Sequence, residues 1–481
     1  MKTVAIIGGG VSGLVAGGLL SRNGIRVRLF EANPKLGGCC ANTYMGGYTF
    51  HDGAQYLAFP GVLVHVFGRL GLDHASLLPI RKIIANQTVT LPNGSVVTFG
   101  DGLEVTLSQN GMVKNGPLQK ELDLLLKKWA PVFRLFADDI LLHPFSMARL
   151  ATKSWRHLSK FRGTVAGEIT RLFSDEAVRA AMAGILLYTG KPPQTTPVTS
   201  ILGLVAMLCE GFYLPVGGMG KIPEALSQAI KRYGGEIHLN SKVNQIVIKE
   251  GRVYGLEIVG QGCVEADAVI STASGMATFN FLLDAGAVPV KLHRKAQKAQ
   301  LSHKAMVVQF GLSNQIDVSS HSHSILPMMP EQEKVFLPVE DELAWPVYSV
   351  PTVTAPEMAP QGGSVVEMFP PTRQSMPADD WTPEQEERIT QAAMRALARL
   401  HKMEIVVKRT LSPKHFQNQL HLYHGAAYGL SLTSDPRAYF PHQTPISGLY
   451  LAGQTTYPGY GVSSAAMSGI LAAEAMVMDD R

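Results

Sequence analysis

The stretch that most constrains the fold of this chain runs from Val4 to Glu31 and reads VAIIGGGVSGLVAGGLLSRNGIRVRLFE. A β-branched apolar run leads into Gly8, Gly10 and Gly13. A helix rich in small residues follows, and a second apolar run closes the stretch. In a β-α-β unit the first glycine allows a tight turn, the second lets the backbone approach a pyrophosphate, and the third lets helix and strand pack closely. The stretch therefore predicts a parallel sheet that binds a dinucleotide.

The two ends of this stretch indicate how the dinucleotide is held. The helix that begins after Gly10 offers unpaired N–H groups and a favourable dipole to an anion, so we expect the pyrophosphate there. Glu31 stands roughly twenty residues further on, where an acidic side chain accepts hydrogen bonds from a ribose hydroxyl. Because its charge repels a 2′-phosphate, NADP is disfavoured. At this point FAD and NAD both remain open.

The composition bounds the remaining possibilities. With 481 residues the chain is long enough for two or three domains with large cores. Hydrophobic residues make up 46% and charged residues 17%, which indicates a globular protein that can also enclose an apolar pocket. The net charge is +5, from 43 cations and 38 anions. Because that excess is small, we expect no nucleic-acid partner.

The cysteines and the N-terminus bear on cellular location. Cys39, Cys40, Cys209 and Cys263 form neither a disulfide framework nor a spaced metal site, so we predict no metal and a reducing compartment. The N-terminus has no basic region beyond Lys2, which argues against a signal peptide. We also expect no transmembrane helix. The predicted location is cytoplasmic, with membrane association left open.

Residues 145–162 predict a basic amphipathic helix. At about 100° per residue, its basic side chains fall on one narrow stripe and its apolar side chains fall opposite. The basic residues are Arg149, Lys153, Arg156 and Lys160, and the apolar residues are Met147, Leu150, Ala151, Trp155, Leu158 and Phe161. Such a helix either docks on an anionic membrane surface or packs in a bundle with its basic side in water. The pattern alone does not separate these two interpretations.

The stretch Ile446 to Met476 favours FAD over NAD. It reads ISGLYLAGQTTYPGYGVSSAAMSGILAAEAM, a buried strand, Gly453, a loop that ends at Gly461, and a helix from near Val462. Glycines let the backbone approach a flat ring, and the helix N-terminus stabilises the negative charge of a reduced flavin. A nucleotide fingerprint paired with this distant helix is what one FAD stretched across one domain needs.

Several motifs together carry a family resemblance. They are VAIIGGGVSGLVAGGLLSRNGIRVRLFEA, LGGCCANT, GFYLPVGGMGKIPEAL, VNQIVI, HGAAYGLS and GLYLAGQTTYPGYGVSSAAMSG. Through them the chain resembles the flavin-dependent phytoene desaturase, carotenoid isomerase and retinol saturase family of the amine oxidase superfamily. The resemblance covers most of the length. It implies an α/β fold with a Rossmann-type FAD-binding domain, of the kind with two dinucleotide-binding motifs, and an α+β substrate domain inserted discontinuously.

The resemblance also implies which residues hold FAD. Gly37 and Gly38 are expected beside the flavin, and the backbone of Val243 at the adenine. The full set of cofactor-binding residues so implied is Gly8, Gly10, Ser12, Gly13, Glu31, Ala32, Gly37, Gly38, Cys39, Val243, Gly453, Gly461 and Val462. Two positions depart from the family pattern. Cys39 stands where a basic residue is common, and Gln454 stands where an acidic residue is frequent.

The chain order of these motifs predicts the domain boundaries. A hairpin centred on Asn93-Gly94 marks where the chain leaves the nucleotide-binding domain, and the segment from Pro215 is its return. We expect the FAD-binding domain at residues 1–75, 213–285 and 420–481. The substrate-binding domain is then expected at residues 76–212 and 286–419. Its region 118–212 is predicted to be helical and apolar enough to wall a hydrophobic tunnel.

Three activities fit these expectations. The first is an FAD-dependent desaturase or saturase that acts on C–C bonds of a lipophilic, polyene-like or other natural-product substrate, with hydride transfer to the flavin. The second is an amine oxidase acting on a C–N bond, and the third is a redox-neutral isomerase of the carotenoid type. Tyr457 and Tyr460 are expected nearest the flavin ring, as an aromatic wall for the substrate. The general base and the oligomeric state are not indicated.

Overall fold

The centre of the fold is a five-stranded parallel sheet, which we call the nucleotide sheet. The computed structural model describes residues 2–114, 116–339, 341–432 and 435–479. The strands of this sheet are, in spatial order, Glu236–His238, Arg26–Phe30, Thr3–Ile7, Ala268–Ser271 and Leu449–Leu451. They come from three distant parts of the chain, and the order matches a Rossmann-type α/β fold as predicted.

Three helices pack together beside this sheet. They are the opening helix (Val11–Arg22), the helix Lys221–Arg232 and the closing helix (Val462–Asp479). A Cβ atom on Gly469 would lie 2.4 Å from the carbonyl oxygen of Ser12, so only glycine lets the opening and closing helices come this close. The two ends of the described chain are thereby held against each other.

The closing helix corrects one expectation from the sequence. Among the residues that the structure describes, it is the one helix long and apolar enough to cross a membrane, whereas none was expected. However, 56% of that helix is buried inside the fold. It packs against both the opening helix and the helix Pro60–Leu70. Its apolar character is therefore that of a core helix.

A second, nine-stranded sheet, which we call the substrate sheet, lies beside the first. Its strands are, in spatial order, Ile405–Leu411, Val307–Leu312, Ser364–Met368, Val347–Ser349, Ser322–Ile325, Gln87–Thr90, Ser95–Phe99, Val105–Gln109 and Met112–Val113. All neighbours are antiparallel except one parallel pair, which joins strands from the two halves of the predicted substrate domain. The predicted hairpin at Asn93-Gly94 is confirmed, with Val89 opposite Val97.

Residues 118–209 form the predicted helical region. Its α-helices are Leu118–Asp138, Met147–Ser154, Val165–Leu172, Glu176–Gly184 and Ile201–Cys209. The prediction of one amphipathic helix over residues 145–162 is wrong, because the α-helix ends at Ser154 and a 3₁₀ segment, Trp155–Phe161, continues from it. The 3₁₀ segment rotates its side chains away from the positions that an α-helix would give them.

The remaining elements connect these layers. The helices are Pro60–Leu70, His74–Leu77, Gly275–Asn280, Val290–Lys298, Pro383–Ala398 and Pro413–Asn418. The smaller sheets are the hairpin Asn42–Met45 with Tyr48–His51, the pair Ile80–Lys82 with Tyr213–Pro215, and the triplet Val243–Lys249, Arg252–Ile258 and Gly262–Glu265.

Candidate active site

One continuous cavity of about 1460 Å³ extends from the nucleotide sheet to the helical region. The predicted site residues that line it are Gly8, Gly10, Ser12, Glu31, Ala32, Gly37, Gly38, Cys39, Val243, Gly453, Tyr457, Tyr460, Gly461 and Val462. Gly13 does not line the cavity. A Cβ atom there would lie 2.1 Å from the carbonyl oxygen of Gly8, so Gly13 lets the opening helix meet the first strand.

The nucleotide end of the cavity is built by two glycine turns. Gly8 has φ +98°, which favours glycine, and the turn leads to Gly10 at the start of the opening helix. No side chain caps that helix, and a Cβ atom on Gly10 would meet nothing within 4 Å. The amide N–H of Gly37 donates to the carbonyl oxygen of Gly9 at 2.8 Å, which joins the second turn to the first. Uncapped N–H groups beside open space are what a pyrophosphate requires.

Glu31 is held rigidly at this end. Its carboxylate accepts hydrogen bonds from the amide N–H of Gly9 at 2.7 Å and of Asn33 at 2.8 Å, and the residue is only 6% exposed. Each carboxylate oxygen keeps a further lone pair for a ribose hydroxyl. His421 lines the same end, and burial holds the pKa of its imidazole below the ordinary value even though Glu31 is near.

The C-terminal glycines converge on the same space. Gly453 has φ +106°, and a Cβ atom there would lie 3.4 Å from Ser12 Oγ. A Cβ atom on Gly461 would meet nothing within 4 Å, and the closing helix begins at the next residue, Val462. Two helix N-termini therefore open onto one cavity. One of them suits the pyrophosphate of FAD and the other the charge of its ring, so the residues present fit this cofactor.

Cys39 stands in this cavity where the family commonly carries a cation. Its carbonyl oxygen accepts a hydrogen bond from the amide N–H of Ala54 at 2.8 Å. This bond joins two segments of the chain that both line the cavity. Burial, reinforced by the negative charge of Asp52, raises the pKa of the Cys39 thiol to about 12. The thiol is therefore neutral at physiological pH, and the missing cation is not replaced by another charge.

Four of the tyrosines that line the cavity form what we call the tyrosine cluster: Tyr56, Tyr188, Tyr428 and Tyr460. The rings of Tyr428 and Tyr460 are 4.5 Å apart between centroids, and the Tyr460 hydroxyl donates to Tyr188. Tyr56 stacks on Phe212 at 4.1 Å. Burial raises the pKa of all four phenols, which therefore stay protonated.

Tyr457 has a different role from its neighbour Tyr460. Its hydroxyl donates to the carbonyl oxygen of Ile140 at 2.6 Å, and its ring lies 5.5 Å from that of Phe145. Both partners belong to the helical region. Tyr457 therefore fastens the loop before the closing helix to the helices that cover the cavity.

The far end of the cavity is apolar. The side chains that line it include Phe59, Phe133, Phe136, Phe145, Leu150, Phe161, Ile185, Leu187, Leu202, Phe212, Leu326 and Phe336. Among the described lining residues the carboxylates are Glu31, at the nucleotide end, and Asp379, which is exposed beside the helix Pro413–Asn418. The apolar end therefore offers a lipophilic molecule an extended surface and offers a cation no partner.

A buried polar network connects the cavity wall to the substrate sheet. Glu367 accepts hydrogen bonds from the amide N–H of His51 at 2.9 Å and from Gln309 Nε2 at 2.8 Å, and its other oxygen lies 3.0 Å from His51 Nδ1. Arg409 donates to Asp52 at 2.7 Å. Because the next residues, 53–56, line the cavity, this network fixes their position.

The glycine turns, the parallel sheet and this cavity define a dinucleotide-binding oxidoreductase. The family model of the flavin containing amine oxidoreductases matches residues 11–477, and the chain belongs to that family. It is a flavin-dependent oxidoreductase, and FAD is its cofactor. The resemblance inferred from the motifs is thereby confirmed.

Curated relatives and a solved structure match over almost the whole chain. The chain is 27% identical to a lycopene-forming phytoene desaturase of Pantoea ananas, covering 100% of both chains. It is 24% identical to a zeta-carotene-forming phytoene desaturase of Myxococcus xanthus, covering 99% of this chain and 94% of that protein. An oxidoreductase from Methanosarcina mazei shares the fold, with a TM-score of 0.63 at 18% identity, covering 99% of this chain and 100% of that one.

The structure also brings in residues that sequence reasoning missed. Tyr56, Tyr188 and His303 line the cavity and lie in no motif singled out from the sequence. Tyr428 lies in the quoted HGAAYGLS motif, which was the one signal available for it. These four residues come from four separate segments of the chain. Because they are close only in the folded structure, no sequence spacing indicates that they share a site.

Proposed function

We propose that this enzyme desaturates C–C bonds of a lipophilic, polyene-like substrate. The observation that carries the proposal is the continuity of the cavity, whose one end fits FAD and whose other end is an extended apolar space. The phytoene desaturases among the relatives support the same class of substrate. The chemistry that FAD supplies when bound is the acceptance of a hydride from a substrate C–H bond.

The residues of this chain then bind and orient. We assign the pyrophosphate to the turn at Gly8 and Gly10 with Ser12, and the adenosine ribose to Glu31. The remaining assignments follow the cavity wall: Ala32 and Val243 at the adenosine, Gly37, Gly38 and Cys39 beside the flavin, and Gly453, Gly461 and Val462 at the pyrophosphate and ring. Tyr460 faces the substrate, and Tyr457 holds the covering helices. The apolar wall excludes water from the reacting carbons.

We also propose the domain division expected from the sequence. Residues 1–75, 213–285 and 420–481 form the FAD-binding domain, and residues 76–212 and 286–419 form the substrate-binding domain. Support comes from the sheets, because every strand of the nucleotide sheet falls in the first set and every strand of the substrate sheet in the second. The cavity then lies where the two domains meet.

Oxidation of an amine is the competing reaction, and two observations disfavour it. An aromatic cage needs two rings roughly 7 Å apart, twice a van der Waals contact of about 3.5 Å, so that the amine fits between them. The rings of Tyr428 and Tyr460 are instead tilted against each other with centroids only 4.5 Å apart, which leaves no space for an amine between them. The apolar end also lacks a carboxylate among the described lining residues that could pair with an ammonium group.

An anaerobic absorbance titration of the FAD-loaded protein tests the proposal. We expect a linear polyene to bleach the oxidised flavin, because hydride transfer reduces it, and we expect aliphatic diamines and aromatic amines to leave the spectrum unchanged. Bleaching by amines alone would contradict the proposal. Isomerisation of a polyene only after chemical reduction of the flavin would instead favour the isomerase.

We further propose that residues 145–162 contact a membrane, from which a lipophilic substrate enters. In this segment Met147, Trp155 and Leu158 are 58%, 61% and 49% exposed, while Leu150 and Phe161 line the cavity. The segment thus separates the apolar end of the cavity from the outside. Two of the four basic side chains form ion pairs inside the protein, because Arg149 and Lys153 both pair with Asp139.

Vesicle sedimentation tests this contact. The double variant Trp155→Ser, Leu158→Ser is expected to lower binding to vesicles that contain anionic lipid by about tenfold, because it removes exposed apolar surface from the interface. The matched control is Val406→Ser, which removes an equally exposed apolar residue from the substrate sheet, far along the chain. Equal binding by both variants would remove support for the membrane contact.

A further inference from the structure

The proposed desaturation leaves one proton without an acceptor. Forming a C=C bond removes a hydride from one carbon and a proton from its neighbour, and FAD takes only the hydride. Among the described residues that line the cavity, the side chains able to accept a proton at neutral pH are Glu31, His303, Asp379, His421 and His424. A proton acceptor must lie near the reacting carbons, so the position of each of these five side chains decides whether it can serve.

Three of these five groups lie away from the tyrosine cluster. Glu31 and His421 stand together at the nucleotide end. Asp379 is exposed and accepts from Gln417. The fourth, His424, lines the same small cavity as His303, but its imidazole packs on Tyr423, which is not a member of the tyrosine cluster.

His303 lies against the tyrosine cluster. Its ring stands edge-on to that of Tyr428, with centroids 5.4 Å apart, and the ring of Tyr428 in turn packs at a tilt against that of Tyr460. On its other side the ring packs against the backbone at Gly190, where a Cβ atom would lie 2.2 Å from His303 Nδ1. Because Nδ1 lies against the chain at Gly190, we assign Nε2 to the substrate.

We infer that His303 accepts the proton that the substrate loses during desaturation, an inference that rests on the proposed function. The hydride passes from one substrate carbon to oxidised FAD. The proton of the neighbouring carbon passes to Nε2 of His303, and the electron pair of that C–H bond becomes the second bond of the alkene. Two electrons and one proton thus reach the flavin as hydride, and one proton reaches the imidazole.

The environment of His303 suits this role. Burial lowers the pKa of its imidazole to about 4, so the ring is neutral and able to accept at physiological pH. A weak base suffices, because a C–H bond beside a carbon that has lost a hydride is strongly acidic. The charged or titratable groups around the ring are Tyr428 on its edge, Lys304 next in the chain, and Lys191 and His424 in the adjoining cavity.

A route for the proton to leave also exists. His303 lines a second, smaller cavity of about 340 Å³, whose other lining residues include Lys191, Ser302, Gln374 and Ser431. The hydroxyls of Ser302 and Ser431 can each accept one hydrogen bond and donate another, as a proton relay requires. The imidazole therefore stands between the two cavities.

Anaerobic single-turnover measurements test the inference, using the polyene that bleaches the wild-type flavin. His303→Gln is expected to lower the bleaching rate at least about 100-fold while FAD content and substrate affinity stay unchanged, because a positioned base contributes that much. His303→Ala leaves space for a free imidazole, and added imidazole is expected to restore part of its rate. The matched control is His293→Gln, on the helix Val290–Lys298 and outside the lining of either cavity.

The possible results distinguish failure of the role proposed for His303 from failure of the proposed desaturase function. A wild-type bleaching rate in His303→Gln, or an absence of imidazole rescue in His303→Ala, overturns the role of His303 and leaves the desaturase intact. Failure of every polyene to bleach the wild-type flavin overturns the proposed function and the role of His303 with it. A purely structural role would lower the rate without rescue.

A second measurement does not depend on turnover. Nitrogen NMR of protein labelled at histidine, with His303→Gln to identify the signal, is expected to show an imidazole that is neutral at pH 6 and takes up a proton only below about pH 5. Titration of that signal near 6.5 would show an imidazole in contact with water and would overturn the inference.

Discussion

Gly10→Val is expected to abolish FAD binding while the protein still folds. Gly10 has φ −71° and ψ 175°, which valine adopts without strain, and a side chain there would enter open cavity. That space is where we place the pyrophosphate, so FAD affinity should fall at least about 100-fold, or roughly 2.7 kcal/mol. Fluorescence titration with FAD measures the affinity, and thermal unfolding of the FAD-free protein measures the fold.

Two other glycines supply the controls for Gly10→Val. Gly13→Val should lower the unfolding temperature of the FAD-free protein itself, because its Cβ atom would collide with the Gly8 carbonyl. Gly68→Ala, in the helix Pro60–Leu70, adds a Cβ atom to open space outside the cavity and should change neither property. Retention of FAD by Gly10→Val would contradict the placement of the pyrophosphate.

Glu367→Ala is expected to lower the free energy of unfolding by about 3–5 kcal/mol, because it removes the shared partner of a buried network. Glu367, His51 and Gln309 are all fully buried. Without the carboxylate, the amide N–H and imidazole of His51 and the amide of Gln309 lose the acceptor that they share, and each such loss is costly. Equilibrium unfolding in urea measures the change.

Two controls accompany Glu367→Ala: one removes only the negative charge of residue 367, and the other removes a carboxylate that is exposed. Glu367→Gln keeps a carbonyl oxygen as acceptor and should cost less than the alanine variant. Glu331→Ala removes a carboxylate that is 53% exposed in its pair with Lys334, and should change the stability by less than about 1 kcal/mol. A loss under about 1 kcal/mol in Glu367→Ala would show that His51 finds another acceptor.

The nucleotide end could be predicted because its constraints are local. Gly8 needs a left-handed φ and Gly13 has no room for a side chain, so each position leaves a mark in the sequence itself. The hairpin at Asn93-Gly94 follows from the same kind of local rule. Fold class and cofactor were therefore predictable, and both are confirmed.

Residues 145–162 show where local periodicity fails. Arg149 and Lys153 both pair with Asp139, which lies outside the segment, and the α-helix ends just after Lys153, at Ser154. In the 3₁₀ segment that follows, Lys160 donates to the carbonyl oxygen of Lys128. Because these partners lie in the helix Leu118–Asp138 and at its C-terminal end, no pattern within the segment could reveal the break.

The proposed catalytic end of the cavity, at His303 and the tyrosine cluster, could not be predicted from the sequence either. His303 meets Tyr428 only because the segment before the strand Val307–Leu312 packs against the segment before the closing helix, although the two residues are 125 positions apart along the chain. Tyr428 lies in the HGAAYGLS motif, but His303 lies in no motif that marks it as functional. A site built from single side chains on separate segments has no spacing to detect, whereas a glycine turn does.

The way the nucleotide sheet is assembled determines when the enzyme can acquire its cofactor. The strand Thr3–Ile7 leaves the ribosome early, but its neighbour Ala268–Ser271 and the edge strand Leu449–Leu451 are synthesised much later. The closing helix, which lines the cavity at Val462, follows all of these strands in the chain. Pairing between such distant segments must wait until both exist. We therefore expect flavin loading to wait until the closing helix has been synthesised, and a nascent chain without that helix to remain an apoprotein.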